Sequence, residues 1–206
     1  MPRMLGACLL VIALLAGCTG RDQSEKAPTG KRNRPLPMAQ ESDSSPASGA
    51  KLGSAGGPVE LDSITLVAPA GWDRREASSG FVLAEFYLPK AEGDERDGRL
   101  TVSTAGGDVE ANIERWRSQF GGKPKAESRR TTQANGLEIT LVDFSGDFQD
   151  QRGPFAPATL QPGSRLLGAV IPVEGELYFV KVVGPEKTIS AHEEEFVKFV
   201  ESAKKR

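Results

Sequence analysis

The chain has 206 residues with 26 Lys and Arg, 28 Asp and Glu, and a formal net charge of −2. A hydrophobic fraction of 38% and a charged fraction of 26% fit one ordinary globular domain. A chain this close to neutral lacks the basic face that displaces counterions from DNA or RNA, so we expect no nucleic-acid partner. Gly, Pro and Ser are concentrated near the start, and most aromatic residues follow them.

The first 18 residues have a short basic start, an apolar run from Leu5 to Leu15, and the tetrapeptide Leu-Ala-Gly-Cys that ends at Cys18. The run is too short to span a bilayer, which takes ~20 helical residues, and is typical of a secretory signal peptide. The tetrapeptide resembles the bacterial lipobox, in which a peptidase cuts before the cysteine and the thiol receives diacylglycerol. A buried N-terminal helix is the alternative, but Leu9 to Leu15 lacks a polar face.

The resemblance implies that residues 1–17 are a lipoprotein signal peptide and that Cys18 is the lipidation site. The membrane is then a partner through the N-terminal acyl chains, because several chains anchor a protein that one chain holds only marginally. No free thiol remains, since Cys8 leaves with the signal peptide. In enterobacterial-type sorting an Asp after the lipidated Cys retains the protein at the inner membrane. Thr19 therefore implies the outer membrane, facing the periplasm.

Residues 18–58 are rich in Ser, Gly, Pro and Ala and contain few large apolar side chains. Such a stretch cannot bury enough surface to offset the entropy of ordering, so we predict a disordered tether that begins at Cys18. About 40 residues of this kind span roughly 35 Å on average. The basic cluster from Lys26 to Arg34 either contacts anionic headgroups or is solvated, and the flanking acids favour the second interpretation.

Residues 59–206 alternate apolar runs with turn signals and form the predicted globular domain. Period-two patterning predicts two strands, 64–68 and 81–88, before a charged loop at 92–99. A third strand, 100–104, precedes a helix. Four more strands follow, interrupted by a Pro- and Gly-rich loop that we predict over 147–163: 126–133, 137–144, 165–173 and 177–183.

Two amphipathic helices are predicted. The first has Asp108 as N-cap and Gly121 as C-cap, and its apolar residues share one face. They are Val109, Ile113, Trp116 and Phe120. The second opens at a capping box, Ser190-x-x-Glu193, and ends in the basic residues 204–206, which suit its negative end. Its apolar face comprises Phe196, Val197, Val200 and Ala203.

This order of elements predicts an α+β fold, with an antiparallel sheet of about six to seven strands and two helices packed on it. The domain resembles the PsbP-like α-β-α sandwich. The similarity lies in the Pro69-Ala70-Gly71-Trp72 turn, the helix over 108–120, the run of strands and the closing helix from Ser190. It covers nearly all of residues 59–206. Members of that family are mostly binding or assembly factors, so the resemblance carries over no active-site residue.

Candidate catalytic and metal-binding residues are few. His192 is the only histidine, and we interpret it as a surface residue without a partner. One imidazole and no available thiol exclude the usual structural zinc sites, and no serine lies in a Gly-x-Ser-x-Gly elbow that would suit a triad. The acidic loop 92–98 does not fit an EF-hand, because Gly93 falls where the first calcium ligand is needed. We predict a solvated hairpin tip instead.

Three further features have a functional and a structural interpretation. Asp143, Asp147 and Asp150 could supply paired carboxylates for a glycosidase, but solubilising loop residues are the commoner case. Trp116 lies on the apolar face of its helix and is read as core, whereas Trp72 either packs in the core or lies at a pocket mouth. The glycine pairs match neither a dinucleotide-binding nor a P-loop pattern and are interpreted as turn residues.

The function expected from these observations is a membrane-anchored cell-envelope lipoprotein with a non-catalytic binding or assembly domain. We expect no catalytic, metal-binding or cofactor-binding residues and no cofactor, and the protein partner is unspecified. The alternative is a small-ligand-binding lipoprotein with a pocket between sheet and helix, and an envelope hydrolase comes third. A deep apolar cavity would favour the small-ligand alternative.

Overall fold

The computed structural model describes residues 51–54, 56–151 and 157–206. The predicted signal peptide, the predicted lipidation site Cys18 and the part of the predicted tether up to residue 50 lie outside the described residues. Within these ranges the elements in chain order are β1 (Lys51–Ser54), β2 (Gly57–Glu60), β3 (Ile64–Ala68), β4 (Asp73–Arg75), β5 (Val82–Leu88), β6 (Gly98–Thr104), α1 (Val109–Ser118), β7 (Ala126–Ala134), β8 (Leu137–Asp150), β9 (Thr159–Val173), β10 (Glu176–Pro185), α2 (Glu186–Ala191), α3 (Glu193–Glu201) and β11 (Lys204–Lys205).

The strands form two sheets, and every strand pair is antiparallel. The larger sheet has eight strands in the order β1-β4-β5-β6-β10-β9-β8-β7, and the smaller has three in the order β11-β3-β2. β10 lies at the centre of the large sheet, where Val180 pairs with Val102 of β6 and Ala169 of β9. The predicted α+β fold class is therefore confirmed.

One face of the large sheet is covered by α3 and the small sheet. Because strand side chains alternate between faces, every second residue of β5, β6 and β10 enters this core. Trp72 lies at its centre, with its ring centroid 5.3 Å from that of Phe199 of α3 and 6.1 Å from that of Phe86 of β5. Trp72 is 1% exposed, so the core interpretation of this residue is confirmed.

The opposite face is covered by α1, which gives the α-β-α layering. Ile113, Trp116 and Phe120 pack on side chains of β8, β9 and β10, as the helical spacing predicts. A glycine in β9 makes this contact close: a Cβ on Gly168 would lie 2.7 Å from Cε3 of Trp116 and 2.9 Å from Cγ2 of Val142. The indole of Trp116 therefore rests against the backbone of β9.

The loop that the sequence predicts over 147–163 is shorter in the structure, because both flanking strands extend into it. β8 continues to Asp150 and β9 begins at Thr159, and the two pair as far as Asp150 with Thr159. The register shifts between Gly146, whose φ is 145°, and Phe148, which is 1% exposed. The extra residue lies in β9, between Ser164 and Gln161, whereas β8 keeps its alternation and places Phe148 beside Phe144 in the core under α1. The segment therefore stays in the sheet although its sequence looks irregular.

The predicted start of the ordered domain also changes. β1 and the first residues of β2 fall within the segment 18–58 that the composition assigned to a disordered tether. β1 pairs with β4, and β2 pairs with β3, so the sheets begin before residue 59. β1 and β2 have four residues each, too few for a periodic pattern to show in the sequence.

Of the residues that the sequence predicts as helix caps, only one caps a helix in the structure. The Asp108 carboxylate accepts a hydrogen bond from Ala111 N at 2.7 Å, which confirms the N-cap. The C-cap of α1 is Gln119, not Gly121; Gly121 follows the cap with a φ of 65°. The capping box at Ser190 is wrong, because α2 already begins after Pro185 and the Ser190 hydroxyl donates back to Glu186 O.

The chain end differs from the prediction as well. The predicted last helix is divided into α2 and α3 at His192, and α3 places Phe196, Phe199 and Val200 in the core. Lys204 and Lys205 do not extend the helix but form β11, which pairs with β3. The C-terminal residues thus close the small sheet.

Candidate functional site

The face of the sheet that carries α1 also bears a polar surface beside that helix. α1 packs on the β8–β10 side. Next to it, the same face of β5, β6 and β10 presents charged and hydroxyl side chains at alternate positions. We call this set the polar face; it comprises Glu85, Tyr87, Arg99, Thr101, Ser103 and Lys181.

Lys181 is the central residue of the polar face. It pairs across β10 with Thr101 on one side and with Gly168 on the other, so its side chain lies directly beside the Trp116 ring. Its Nζ donates one long hydrogen bond, 3.4 Å, to Gln119 Oε1. No carboxylate among the described residues forms an ion pair with it.

The surroundings of Lys181 lower its pKa. Burial lowers the pKa of Lys181 to about 8, and the positive charge of Arg99 acts in the same direction. The carboxylate of Asp150 opposes this shift without cancelling it. A partly buried ammonium is therefore held without a close counter-ion.

A cavity of about 210 Å³ opens beside this ammonium, between α1 and the sheet. Trp116 and Phe179 provide its apolar wall, with their rings edge to face at a centroid distance of 5.9 Å. Its polar lining consists of Thr101, Ser103, Arg115, Gln119 and Lys181. The cavity thus combines two cationic side chains, two hydroxyls and an amide with an aromatic wall.

Arg99, by contrast, has a strong partner. Its Nε donates to Glu85 Oε1 at 2.7 Å, and its Nη2 donates to the hydroxyl of Ser78 at 2.8 Å. Burial acts to raise the pKa of Glu85, but the hydrogen bonds from Arg99 and Ser78 outweigh it and lower the pKa. Glu85 is only 2% exposed. The pair is a structural ion pair that fixes one border of the polar face.

A second cavity of about 250 Å³ lies on the other side of Arg99. Asp150 and Gln161 line it together with Tyr87 and Arg96, and Gln161 Nε2 donates to Asp150 Oδ2 at 3.1 Å. Acids and bases are mixed in this lining. It is therefore electrostatically balanced, unlike the cavity at Lys181.

His192 is not the unpartnered surface residue expected from the sequence. Its Nδ1 lies 2.7 Å from Glu195 Oε2 and its Nε2 lies 2.9 Å from Pro89 O. The same Glu195 oxygen accepts a hydrogen bond from Trp72 Nε1 at 3.0 Å. The prediction is wrong because the break between α2 and α3 turns the ring toward the end of β5. Both ring nitrogens are engaged, so a triad through His192 would require one of these contacts to break.

The acidic loop 92–98 joins the paired strands β5 and β6, and most of its residues are exposed, as predicted for a solvated hairpin tip. It is nonetheless bound to α2 through several hydrogen bonds. Asp94 accepts hydrogen bonds from Thr188 N at 2.9 Å and from its hydroxyl at 2.5 Å, and Lys187 Nζ donates to Glu92 O at 2.5 Å. The loop is therefore held against α2. Within the described ranges, no group of three or more His, Cys, Asp or Glu side chains has a geometry that could hold a metal ion.

The three candidate aspartates each have a different partner. Asp143 forms a two-oxygen contact with Arg165, at 3.0 and 2.7 Å. Asp147 contacts Lys125 at 3.5 Å, and Asp150 accepts from Gln161. Asp143 lies on the α3 face and Asp150 on the α1 face. The structure thus does not bring them together as a catalytic carboxylate pair.

Arg165 links β9 to α2 and α3. Besides Asp143 it contacts Glu193 at 2.8 Å and donates to the Ser190 hydroxyl at 2.9 Å. The two residues of the predicted capping box therefore bind this guanidinium instead of the helix end. The hydrogen bond with Asp143 contributes most to raising the pKa of Arg165, which keeps the cluster charged.

Sequence reasoning missed Lys181. The available signal is a single lysine inside the apolar run of β10, on the same face as Phe179 and Val183. A charged residue at such a position either pairs with an acid or lines a cavity. Only the placement of α1 shows which applies here.

Comparison with known proteins yields similar structures but no sequence relative. No family model and no curated protein matches the chain. A crystal structure from Bacteroides thetaiotaomicron is 14% identical with a TM-score of 0.42, over 73% of this chain and 48% of that one. The chain thus spans about half the length of that protein.

Two further solved structures are similar at the same level. Cyanobacterial PsbP (CyanoP) from Synechocystis is 15% identical with a TM-score of 0.41, over 74% of this chain and 97% of that one. A Pseudomonas aeruginosa protein of unknown function, described as a putative regulator, is 14% identical with a TM-score of 0.40, over 70% and 93%. Among the described residues, no helix is long and apolar enough to cross a membrane.

Proposed function

We propose that this chain is a membrane-anchored cell-envelope lipoprotein whose folded domain is a non-catalytic binding or assembly module. The observation that carries the proposal is the tetrapeptide ending at Cys18, directly after an apolar run of signal-peptide length. Acyl chains on this cysteine would hold the protein at the membrane surface, and Thr19 favours the outer membrane, facing the periplasm.

The anchor is tested by the variant Cys18→Ser and fractionation of cells that express the chain. We expect the wild-type protein in the membrane fraction, with a mass that includes the acyl chains, and the variant without acyl chains and outside the outer membrane. Thr19→Ser, which leaves the cysteine intact, is the matched control. Wild-type protein with an unmodified Cys18, or a variant that remains in the outer membrane, would contradict the anchor.

The polar face supports a binding role. It offers the ammonium of Lys181, which has no ion-pair partner among the described residues, and several hydroxyl groups beside a helix. The aspartates and the histidine singled out in the sequence are instead engaged in structural contacts. We place the partner-binding surface here and take another envelope protein as the leading partner. A photo-crosslinking side chain at Tyr87 is expected to give one discrete adduct in cells, and the same group at Lys198 on α3 should give none. Equal adducts from both positions, or none from Tyr87, would argue against this surface.

Small-ligand binding is the second candidate function, and the cavity at Lys181 favours it. Two other cavities, at Asp150 and at Arg165, are slightly larger, about 250 Å³ each, but both mix acidic and basic side chains in their linings. The cavities beneath α3 and beneath α1 at β7 are smaller, about 50 and 160 Å³. Pockets that enclose a drug-sized ligand have volumes of roughly 300–1,000 Å³, which exceeds the volume of the cavity at Lys181. The geometry therefore favours a small polar ligand over a lipid-sized apolar one.

A further inference from the structure

We propose that the cavity at Lys181 binds a small organic anion, with its carboxylate or other oxyanion group between Lys181 and Arg115 and its apolar part against Trp116 and Phe179. This inference deepens the small-ligand form of the proposed function and does not depend on the lipid anchor. It rests on three features of the cavity, namely its uncompensated charge, its polar lining and its aromatic wall.

The charge of the cavity is positive and lacks an internal counter-ion. Arg99 is neutralised by Glu85 at 2.7 Å, but Lys181 has only the amide oxygen of Gln119 at 3.4 Å. Arg115 projects from the last turn of α1 into the same lining and forms no ion pair with the residues that the structure describes. A partly buried ammonium that has lost water and gained no anion binds an oxyanion favourably, because a charge-assisted hydrogen bond then replaces the lost solvation.

The polar lining supplies further donors around this charge. Thr101 and Ser103 follow one another on the same face of β6, and the pairing of β6 with β10 places Thr101 directly opposite Lys181. Hydroxyl groups rotate to donate to a bound oxygen, and one oxyanion group accepts several such bonds. The lining therefore suits one compact oxyanion rather than an extended charged chain.

The aromatic wall selects the remainder of the ligand. Trp116 is 7% exposed and Phe179 is 4% exposed, and both belong to the core under α1. The ring edges that line the cavity form an apolar surface next to the Lys181 ammonium. A volume of about 210 Å³ is enough for a small acid and is below the size of pockets that enclose drug-sized ligands, roughly 300–1,000 Å³.

The experiment is a titration of the purified full chain, in detergent, with benzoate. Binding is measured by calorimetry and by the NMR signals of the indole N–H groups of the two tryptophans. Benzyl alcohol, which keeps the ring and lacks the charge, is the matched probe, and ionic strength is held constant with chloride. We expect saturable benzoate binding at least ten-fold tighter than that of benzyl alcohol. The Trp116 resonance should move, while that of Trp72, on the opposite face of the sheet, should not.

Variants then assign the site. Lys181→Gln should weaken benzoate at least ten-fold, Lys181→Arg should retain most of the affinity, and Arg115→Gln should weaken it by a smaller factor. Lys198→Gln removes the same charge from the opposite face and should leave binding unchanged. Absence of saturable binding, equal affinity for benzyl alcohol, or equal losses in the Lys181 and Lys198 variants would each overturn the inference. These results are separate from the Cys18 fractionation and the Tyr87 adduct, so failure here leaves the anchored partner-binding proposal standing.

Discussion

Replacement of Lys181 by Met should stabilise the domain, because it removes a charge that the fold desolvates. Met keeps most of the aliphatic stem that packs beside Trp116, so the main change is electrostatic. Burial lowers the pKa of Lys181 to about 8, whereas a lysine in the unfolded chain titrates at about 10.4. Between these two pH values the unfolded chain binds a proton that the folded domain does not, so the stability of the folded domain rises with pH over this range.

The size of the effect follows from this difference in pKa. Each unit is equivalent to about 1.4 kcal/mol, so below about pH 8 the charged lysine costs about 3 kcal/mol of folding free energy. The cost declines as the pH rises above the folded-state value and vanishes once the unfolded chain is also deprotonated, above about pH 10.4. The wild-type domain should thus gain stability between about pH 8 and pH 10.4, and the Met variant should lack this gain.

Urea unfolding of both proteins at pH 7 and near pH 10 measures the effect. We expect the Met variant to be more stable by about 3 kcal/mol at pH 7 and by less than about 1 kcal/mol near pH 10. Lys198→Met, at a side chain that is 70% exposed, should change little at either pH. A Met variant that is equally or less stable at pH 7, or one whose advantage does not shrink at high pH, would refute the reasoning.

Three further substitutions test the contacts around the polar face and the core. Gly168→Ala should destabilise the domain by about 1–3 kcal/mol in urea unfolding, because the added methyl group overlaps Trp116, whereas Gly80→Ala, with no atom near its added Cβ, should be close to neutral. Glu85→Gln should cost about 3 kcal/mol at neutral pH because it leaves Arg99 unpaired. The Glu85 pKa is lowered, so this ion pair contributes above the unfolded value near pH 4.5 and its contribution disappears as the pH falls through the folded value; a loss that persists in full at low pH would contradict the assignment. Trp72→Phe should cost at least about 1–2 kcal/mol, because it removes the bond to Glu195 and leaves a gap in the core around this buried ring; an unchanged urea midpoint would contradict this expectation.

The parts of the fold that the sequence predicts well are those in which one face is buried along a whole element. In α1 the apolar residues recur at helical spacing, and in β5 every second residue from Val82 to Leu88 is apolar. Such patterns reflect burial directly, so the predicted elements lie where the structure has them. β3 agrees at both ends, because Pro69 follows it and ends the strand.

The parts that the sequence does not predict depend on contacts between distant segments. β1 and β4 are short and are specified only by their neighbours in the sheet. Ser190 and Glu193 have the spacing of a capping box, but Arg165 of β9 engages both side chains and α2 has already begun at Glu186. A local motif is overridden here by a tertiary ion pair, which a single sequence cannot show.

The candidate site illustrates the same limit, since its properties come from the docking of α1 and not from any motif. Gly168 lies opposite Lys181 in the register of β9 and β10, and its missing side chain is what lets Trp116 rest on the sheet beside that lysine. The same indole then removes water from the ammonium and forms the wall of the cavity. The close packing of α1 and the lowered pKa of Lys181 therefore have the same cause. A substitution at residue 168 that moves Trp116 away from the sheet should let water reach the Lys181 ammonium and bring its pKa closer to the ordinary value. A Gly168→Ala variant in which the pH dependence of stability between about pH 8 and pH 10.4 is weaker than in the wild type would demonstrate this coupling, and an unaltered pH dependence would separate the two.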